Sequence, residues 1–136
     1  MTSIDSPIVE LGTSPEALTA LVASPTALMD LLPVEKISDF QADAAGCSFK
    51  VPGGIQIVLG LDEVVPGSRV RYSSRKGTPI RFTLDLVFDE VGSTPGRCTA
   101  QVKCLAELNP FTKMIAEQAL TSLFDAISKN LQAAYP

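Results

Sequence analysis

The segment "IRFTLDLVFDE", Ile80 to Glu90, alternates residue by residue. Ile80, Phe82, Leu84, Leu86 and Phe88 are apolar and oppose the polar Arg81, Thr83, Asp85 and Asp89, with Val87 the one apolar residue on the polar side. A period of two sends the two sets to opposite faces of an extended chain, so this run predicts a strand with one buried and one wet face. The pattern recurs on both sides of it. "CSFKV" sets Cys47, Phe49 and Val51 against Ser48 and Lys50, and "IQIVLGLDEV" places Ile55, Ile57, Leu59 and Leu61 together. Pro52-Gly53-Gly54 between those two runs predicts a hairpin turn. "RVRYSSR" turns Val70 and Tyr72 away from Arg69, Arg71 and Ser73. "RCTAQVKCLAEL" opposes Cys98, Ala100, Val102, Cys104 and Ala106 to Thr99, Gln101, Lys103 and Glu107. Turns at Lys76-Gly77-Thr78-Pro79 and at "GSTPG" keep the connections short, which makes neighbouring strands antiparallel. A weaker strand at Lys36 to Asp43 and a first strand at Ile4 to Leu11, compromised by Pro7, bring the total to about seven.

A sheet with a single apolar face has to cover it. The largest apolar surface left is "LNPFTKMIAEQALTSLFDAISKNLQ", Leu108 to Gln132, which reads as a long helix capped by Asn109 and opened by Pro110. At about 100° per residue Leu120, Leu123, Phe124, Ile127 and Leu131 share one face, while Phe111, Met114 and Ile115 point nearly the opposite way. The first face is expected on the sheet. The second is expected to face the short helices, a cavity mouth or a second subunit, or to pack elsewhere in the core. Ahead of the strands, S-P-x-A-L occurs at Ser14 to Leu18 and again at Ser24 to Leu28. Serine followed by proline is a helix start, so two short helices are predicted, about Pro15 to Val22 and Pro25 to Leu32, stopped by Pro33.

The chain has 136 residues, enough for one domain over residues 1–136. It is 46% hydrophobic, yet no run of about 18 apolar residues could span a bilayer, so stable membrane insertion is not expected. A net charge of −4 gives no general attraction to nucleic acid, and none is expected as a partner. The first residues, "MTSIDSPIVELG", lack a basic segment followed by an apolar core, which makes the cytoplasm the expected location. Three cysteines, Cys47, Cys98 and Cys104, read as free buried thiols; Cys98 and Cys104 on one strand would lie roughly 20 Å apart, beyond disulfide reach.

The chain has no histidine, which removes Ser-His and Cys-His nucleophilic pairs and imidazole metal ligands; no CxxC pair offers a thiolate alternative, and no metal is expected. Neither a G-x-G-x-x-G nor a GKS/T pattern is present, and no cofactor is expected. Asp62, Asp85, Asp89 and Glu107 fall on the polar parity of their strands and read as a solvated outer face. Tyr72 is the large hydrogen-bonding side chain on the inward parity; its hydroxyl either bonds to the core backbone or orients a ligand. The stretch "RVRYSSRKGTPIR" gathers Arg69, Arg71, Arg75, Lys76 and Arg81, either an outer polar face or an anionic docking patch.

The order of strand, two short helices, six strands and long helix resembles the helix-grip fold of the START-like (SRPBCC) superfamily. So does the junction "ELNPFTKMIAEQALTSLFDAI", where the last strand runs straight into the capped helix, as in small bacterial members. The superfamily includes lipid-transfer domains, plant ligand-binding proteins, polyketide cyclases and coenzyme Q-binding proteins. The resemblance implies an α+β fold in which a curved antiparallel sheet wraps around the helix and leaves a cavity that the short helices help to close. The expected function is non-catalytic binding or transport of an apolar small molecule, lipid, polyketide or quinone-like. A cyclase or dehydratase-type enzyme using the same cavity, or a homodimerising interaction module, are the alternatives. No catalytic residue of the cyclases matches a position here. The candidate cavity residues are Ile57, Leu59, Tyr72, Phe82, Leu84, Ala100, Val102 and Cys104 on the strands, with Phe111, Met114, Ile115 and Leu120 on the helix. The small side chains of Ala100, Cys104 and Ala106 are where space could open.

Overall fold

The computed structural model describes residues 2–33, 35–51, 54–92 and 96–136, and within these the side chains of residues 111, 112 and 115 lie outside the description. The predicted turn at Pro52-Gly53 and most of "GSTPG" fall outside it too, although Gly54 takes a left-handed φ of 75° and donates its N–H to Val51.

Eight strands form one curved, unclosed antiparallel sheet. β1 (Thr2–Asp5) and β2 (Val9–Leu11) both pair with β8 (Cys98–Glu107). From β8 the sheet continues through β7 (Arg81–Glu90), β6 (Arg69–Ser74), β5 (Ile55–Val65) and β4 (Gly46–Val51) to β3 (Ser38–Ala42) at the far edge. The sequence predicts one strand over Ile4 to Leu11, and the count rises from about seven to eight because Pro7 divides it. Proline cannot donate to the ladder. Ser6 anchors the break, its hydroxyl accepting from the N–H of Val102 at 2.9 Å while its own N–H donates to the Val102 carbonyl.

The short helices form where serine and proline predicted them. α1 (Pro15–Val22) is capped by Ser14, whose Oγ accepts from Ala17 at 3.2 Å. α2 (Pro25–Leu28) is capped by Ser24 in the same way. The second helix is shorter than Pro25 to Leu32, since its last part, Met29–Leu31, tightens into a 3-10 turn. α3 (Pro110–Ala134) starts at the predicted proline. Its backbone runs against β1, β2, β8 and the 3-10 turn, and its Leu120, Leu123, Phe124, Ile127 and Leu131 are all buried. Asn130 ties the helix to the 3-10 turn by donating to the Leu31 carbonyl at 2.8 Å.

The buried parity is the predicted one. Phe49, Ile57, Tyr72, Leu84, Phe88 and Val102 are each at most 1% exposed. The β7–β8 register sets Phe82 opposite Ala106, Leu84 opposite Cys104 and Phe88 opposite Ala100. Large side chains on one strand therefore meet small ones on the next. The small ones belong to a strand against which α3 runs, and a low side-chain profile there lets the helix backbone approach the sheet.

Candidate functional site

The candidate residues separate into two groups. Ile57, Leu59, Tyr72, Phe82, Leu84, Ala100, Val102, Cys104 and Leu120 lie in the packed core, none more than 5% exposed. Met114 is 82% exposed. The side chains of Phe111 and Ile115 lie outside the described residues.

Met114 stands on one wall of a cleft of about 550 Å³ between the N-terminal half of α3 and the β3–β4 side of the sheet. The sheet does not close, so the helix that leans on β1 and β8 leaves a gap toward the opposite edge. On the helix wall, Met114, Gln118 and Ser122 follow one another at i, i+4 spacing, with Ala119 and Leu123 beside them. The facing wall comes from Pro33, Lys36, Ile37 and, at the end of β4, Val51. Pro33 accepts from the N–H groups of both Lys36 (2.8 Å) and Ile37 (3.2 Å), and this turn holds the wall in place. Six of the nine described lining residues are apolar, and Lys36 is the one among them that carries a charge. Of these nine residues sequence patterning names only Met114 as a cavity candidate; Pro33, Lys36 and Ile37 sit on or beside an irregular turn that has no period to read, and Leu123 belongs to the helix face expected on the sheet.

A second, more polar hollow of about 830 Å³ continues along α3 toward its C-terminus, and it shares Pro33, Lys36 and Ser122 with the cleft.

Tyr72 does not face the cleft. Its hydroxyl donates to the carbonyl oxygen of Val22 at 2.5 Å inside the core, and burial holds its ionisation above the ordinary tyrosine range. The thiols are equally remote from chemistry. Burial first, then the nearby Asp43 carboxylate, pushes Cys47 up to about 11; burial, then Asp5 and Asp85, pushes Cys104 up to about 12. Neither presents a thiolate at neutral pH.

The polar parity carries ion pairs. Arg71 grips Asp85 with two bonds, Nε to Oδ1 at 2.7 Å and Nη2 to Oδ2 at 2.9 Å; Arg69 bonds Glu63, and Arg75 bonds Asp62 and Ser73. Asp62 is held below the ordinary carboxylate range, chiefly by the Arg75 hydrogen bond and then by Ser73. Three of the five cations in the basic stretch are thus already matched by carboxylates of the same sheet, and the potential of that stretch as an anionic docking patch shrinks accordingly. Asp89 and Glu107 are exposed. Among the described residues, no group of three or more Cys, Asp or Glu side chains could hold a metal ion, and no helix is long and apolar enough to cross a membrane.

The architecture is shared, nearly end to end, with solved structures. The protein XoxI from Bacillus cereus superimposes with a TM-score of 0.77 at 18% identity, over 99% of this chain and 96% of the other. A START superfamily protein from Mycobacterium smegmatis gives 0.68 at 15% identity, over 98% and 96%. Norcoclaurine synthase from Thalictrum flavum, in complex with dopamine and hydroxybenzaldehyde, gives 0.63 at 18% identity, over 94% and 84%. No family model matches the chain, and no curated protein does. The order of elements and these superpositions agree on a START-like helix-grip fold.

Proposed function

We propose that this chain, whose fold is the START-like helix grip, binds an apolar small molecule in the cleft between α3 and the β3–β4 edge. The observation that carries this is the cleft itself: about 550 Å³, six apolar residues among the nine described ones that line it, and an exposed Met114 at its rim. That volume lies within the roughly 300–1,000 Å³ of small-molecule sites. Methionine is a flexible, polarisable side chain suited to ligands of irregular shape. Transfer of the ligand's apolar surface out of water drives binding at roughly 25 cal/mol per Å² before ordering costs. Few polar groups line the cleft, so selectivity among apolar molecules is loose.

Binding rather than turnover is the favoured role. Tyr72 is committed to the Val22 carbonyl, the paired carboxylates stand on the outer face of the sheet, and Lys36 is the one titratable group among the described cleft residues. A fold neighbour, norcoclaurine synthase, is an enzyme by name, and that weighs only on the fold at 18% identity.

The test is native mass spectrometry of freshly purified protein, followed by solvent extraction and titration with an uncharged apolar fluorophore. A co-purified apolar species, or saturable probe binding, supports the reading. Bare mass together with no probe binding refutes it. A doubled mass in the same spectrum would turn attention to Met114 as part of an interface between two copies.

A further inference from the structure

We infer that the ligand class is an amphipathic acid, an apolar body ending in one carboxylate, with Lys36 as the cation that meets the head. This rests on the cleft being the ligand site. The apolar cleft and the polar hollow meet at Pro33, Lys36 and Ser122, so the groove passes from apolar to polar along α3, and Lys36 stands at the junction. A molecule of uniform polarity matches one half of such a groove; one with an apolar body and a polar end matches both.

The charge at the junction selects the sign of that end. Lys36 enters none of the ion pairs among the described residues, which engage Lys50, Arg69, Arg71, Arg75 and Arg97. On the polar side it is faced by Asp30, Glu35 and Asp125 and by a second cation, Lys129. On the apolar side no other charge lines the wall among the described residues, and Gln118 and Ser122 offer hydrogen-bond donors one helical turn apart. A carboxylate placed at the junction gains the attraction of Lys36 and takes those donors.

The experiment is competition against the uncharged fluorophore by decanoate, decanol and decylamine at pH 7.5 and low salt, with wild type, Lys36→Met and Lys129→Met. The expected result is decanoate about fivefold tighter than decanol, the size of one partly solvated ion pair. That preference should disappear in Lys36→Met, persist in Lys129→Met and shrink in 0.5 M salt. Equal affinity for acid and alcohol overturns the inference, as does tighter binding of the amine, or a preference that survives Lys36→Met. If the alcohol binds without such a preference, the cleft reading stands and the acid class falls. If none of the three displaces the probe and no probe binds, both fall together. Thermal melts of the two variants, both at exposed positions, establish that the fold is retained.

Discussion

The Tyr72 hydroxyl donates to the Val22 carbonyl oxygen at 2.5 Å across 50 residues of sequence, and both residues are fully buried. Val22 is the last residue of α1, where a helix leaves carbonyls without an intrahelical partner. β6 thereby satisfies the end of α1, and the short helix is fastened to the sheet. Thr19 reinforces the join: its hydroxyl accepts from Gly67 in the β5–β6 turn at 3.1 Å.

Tyr72→Phe should leave that carbonyl buried and unsatisfied, lowering stability by about 1–2 kcal/mol and the melting temperature by a few degrees. Probe binding should be unchanged. A variant that melts like wild type but no longer binds the probe would put Tyr72 in contact with ligand and move the site inside the sheet.

Ala119→Phe places a ring in the cleft from a half-buried position. The expected outcome is a loss of probe affinity of tenfold or more, with stability within about 1 kcal/mol of wild type. Leu84→Ala makes the reverse case: a cavity in the core costs about 2–5 kcal/mol and leaves the probe affinity alone. Opposite behaviour of the pair, read by calorimetry and fluorescence titration, would mean that ligand enters between the sheet and the far face of α3.

Gly46 and Gly60 face one another across β4 and β5, and what lies over each one differs. A Cβ on Gly46 would run into the Leu59 carbonyl oxygen, which is backbone; one on Gly60 would run into the Arg75 guanidinium, the end of a flexible side chain. Gly46→Ala should therefore cost more than about 2 kcal/mol and Gly60→Ala less than about 1 kcal/mol. Gly60→Ala should also release Asp62 from Arg75, so that an NMR titration of the variant shows the Asp62 carboxyl moving up toward its ordinary value.

Stability should fall in alkali. The Cys47 and Cys104 thiols titrate from an ordinary 9.0 when unfolded, and at about 11 and about 12 when folded. Between these values the folded chain holds protons that the unfolded chain has lost, so the stability present below pH 9 declines as the pH rises toward 11 to 12. The unfolding free energy from denaturant titrations should be nearly flat from pH 7 to 8.5 and drop beyond, by of order 5 kcal/mol at pH 11 for the two thiols together. Cys104→Ala should flatten part of that decline, and a midpoint that is constant to pH 11 would contradict the burial of both thiols.

Much of the fold was legible because its signals are local. The period of two in Ile80 to Glu90 and Cys98 to Glu107 names the buried side of each strand, since successive side chains must leave opposite faces. Ser14, Ser24 and Pro110 mark helix starts through the geometry of their own backbones. The helix face from Leu120 to Leu131 follows from 3.6 residues per turn, and all five of its residues are buried. Pro7 gave a partial signal, read as weakness in one strand where it divides two.

The location of the cleft was not legible in the same way. Inward parity tells that Ala100 and Cys104 face the core, and small side chains there were read as room for a ligand. Whether small residues make a hole or admit a neighbour depends on how close the next element comes, and that distance is set by the whole sheet. Here α3 runs against β1, β2 and β8, and the gap opens at the other side, where Lys36 and Ile37 follow a proline turn and meet Met114, Gln118 and Ser122 from some 80 residues later. The sequence by itself determined which side chains turn inward and where helices begin, because those are properties of a few consecutive residues. Only the tertiary structure decided where the inward surfaces fail to touch, because an unclosed curved sheet is wider than the one helix that packs on its β1, β2 and β8 side.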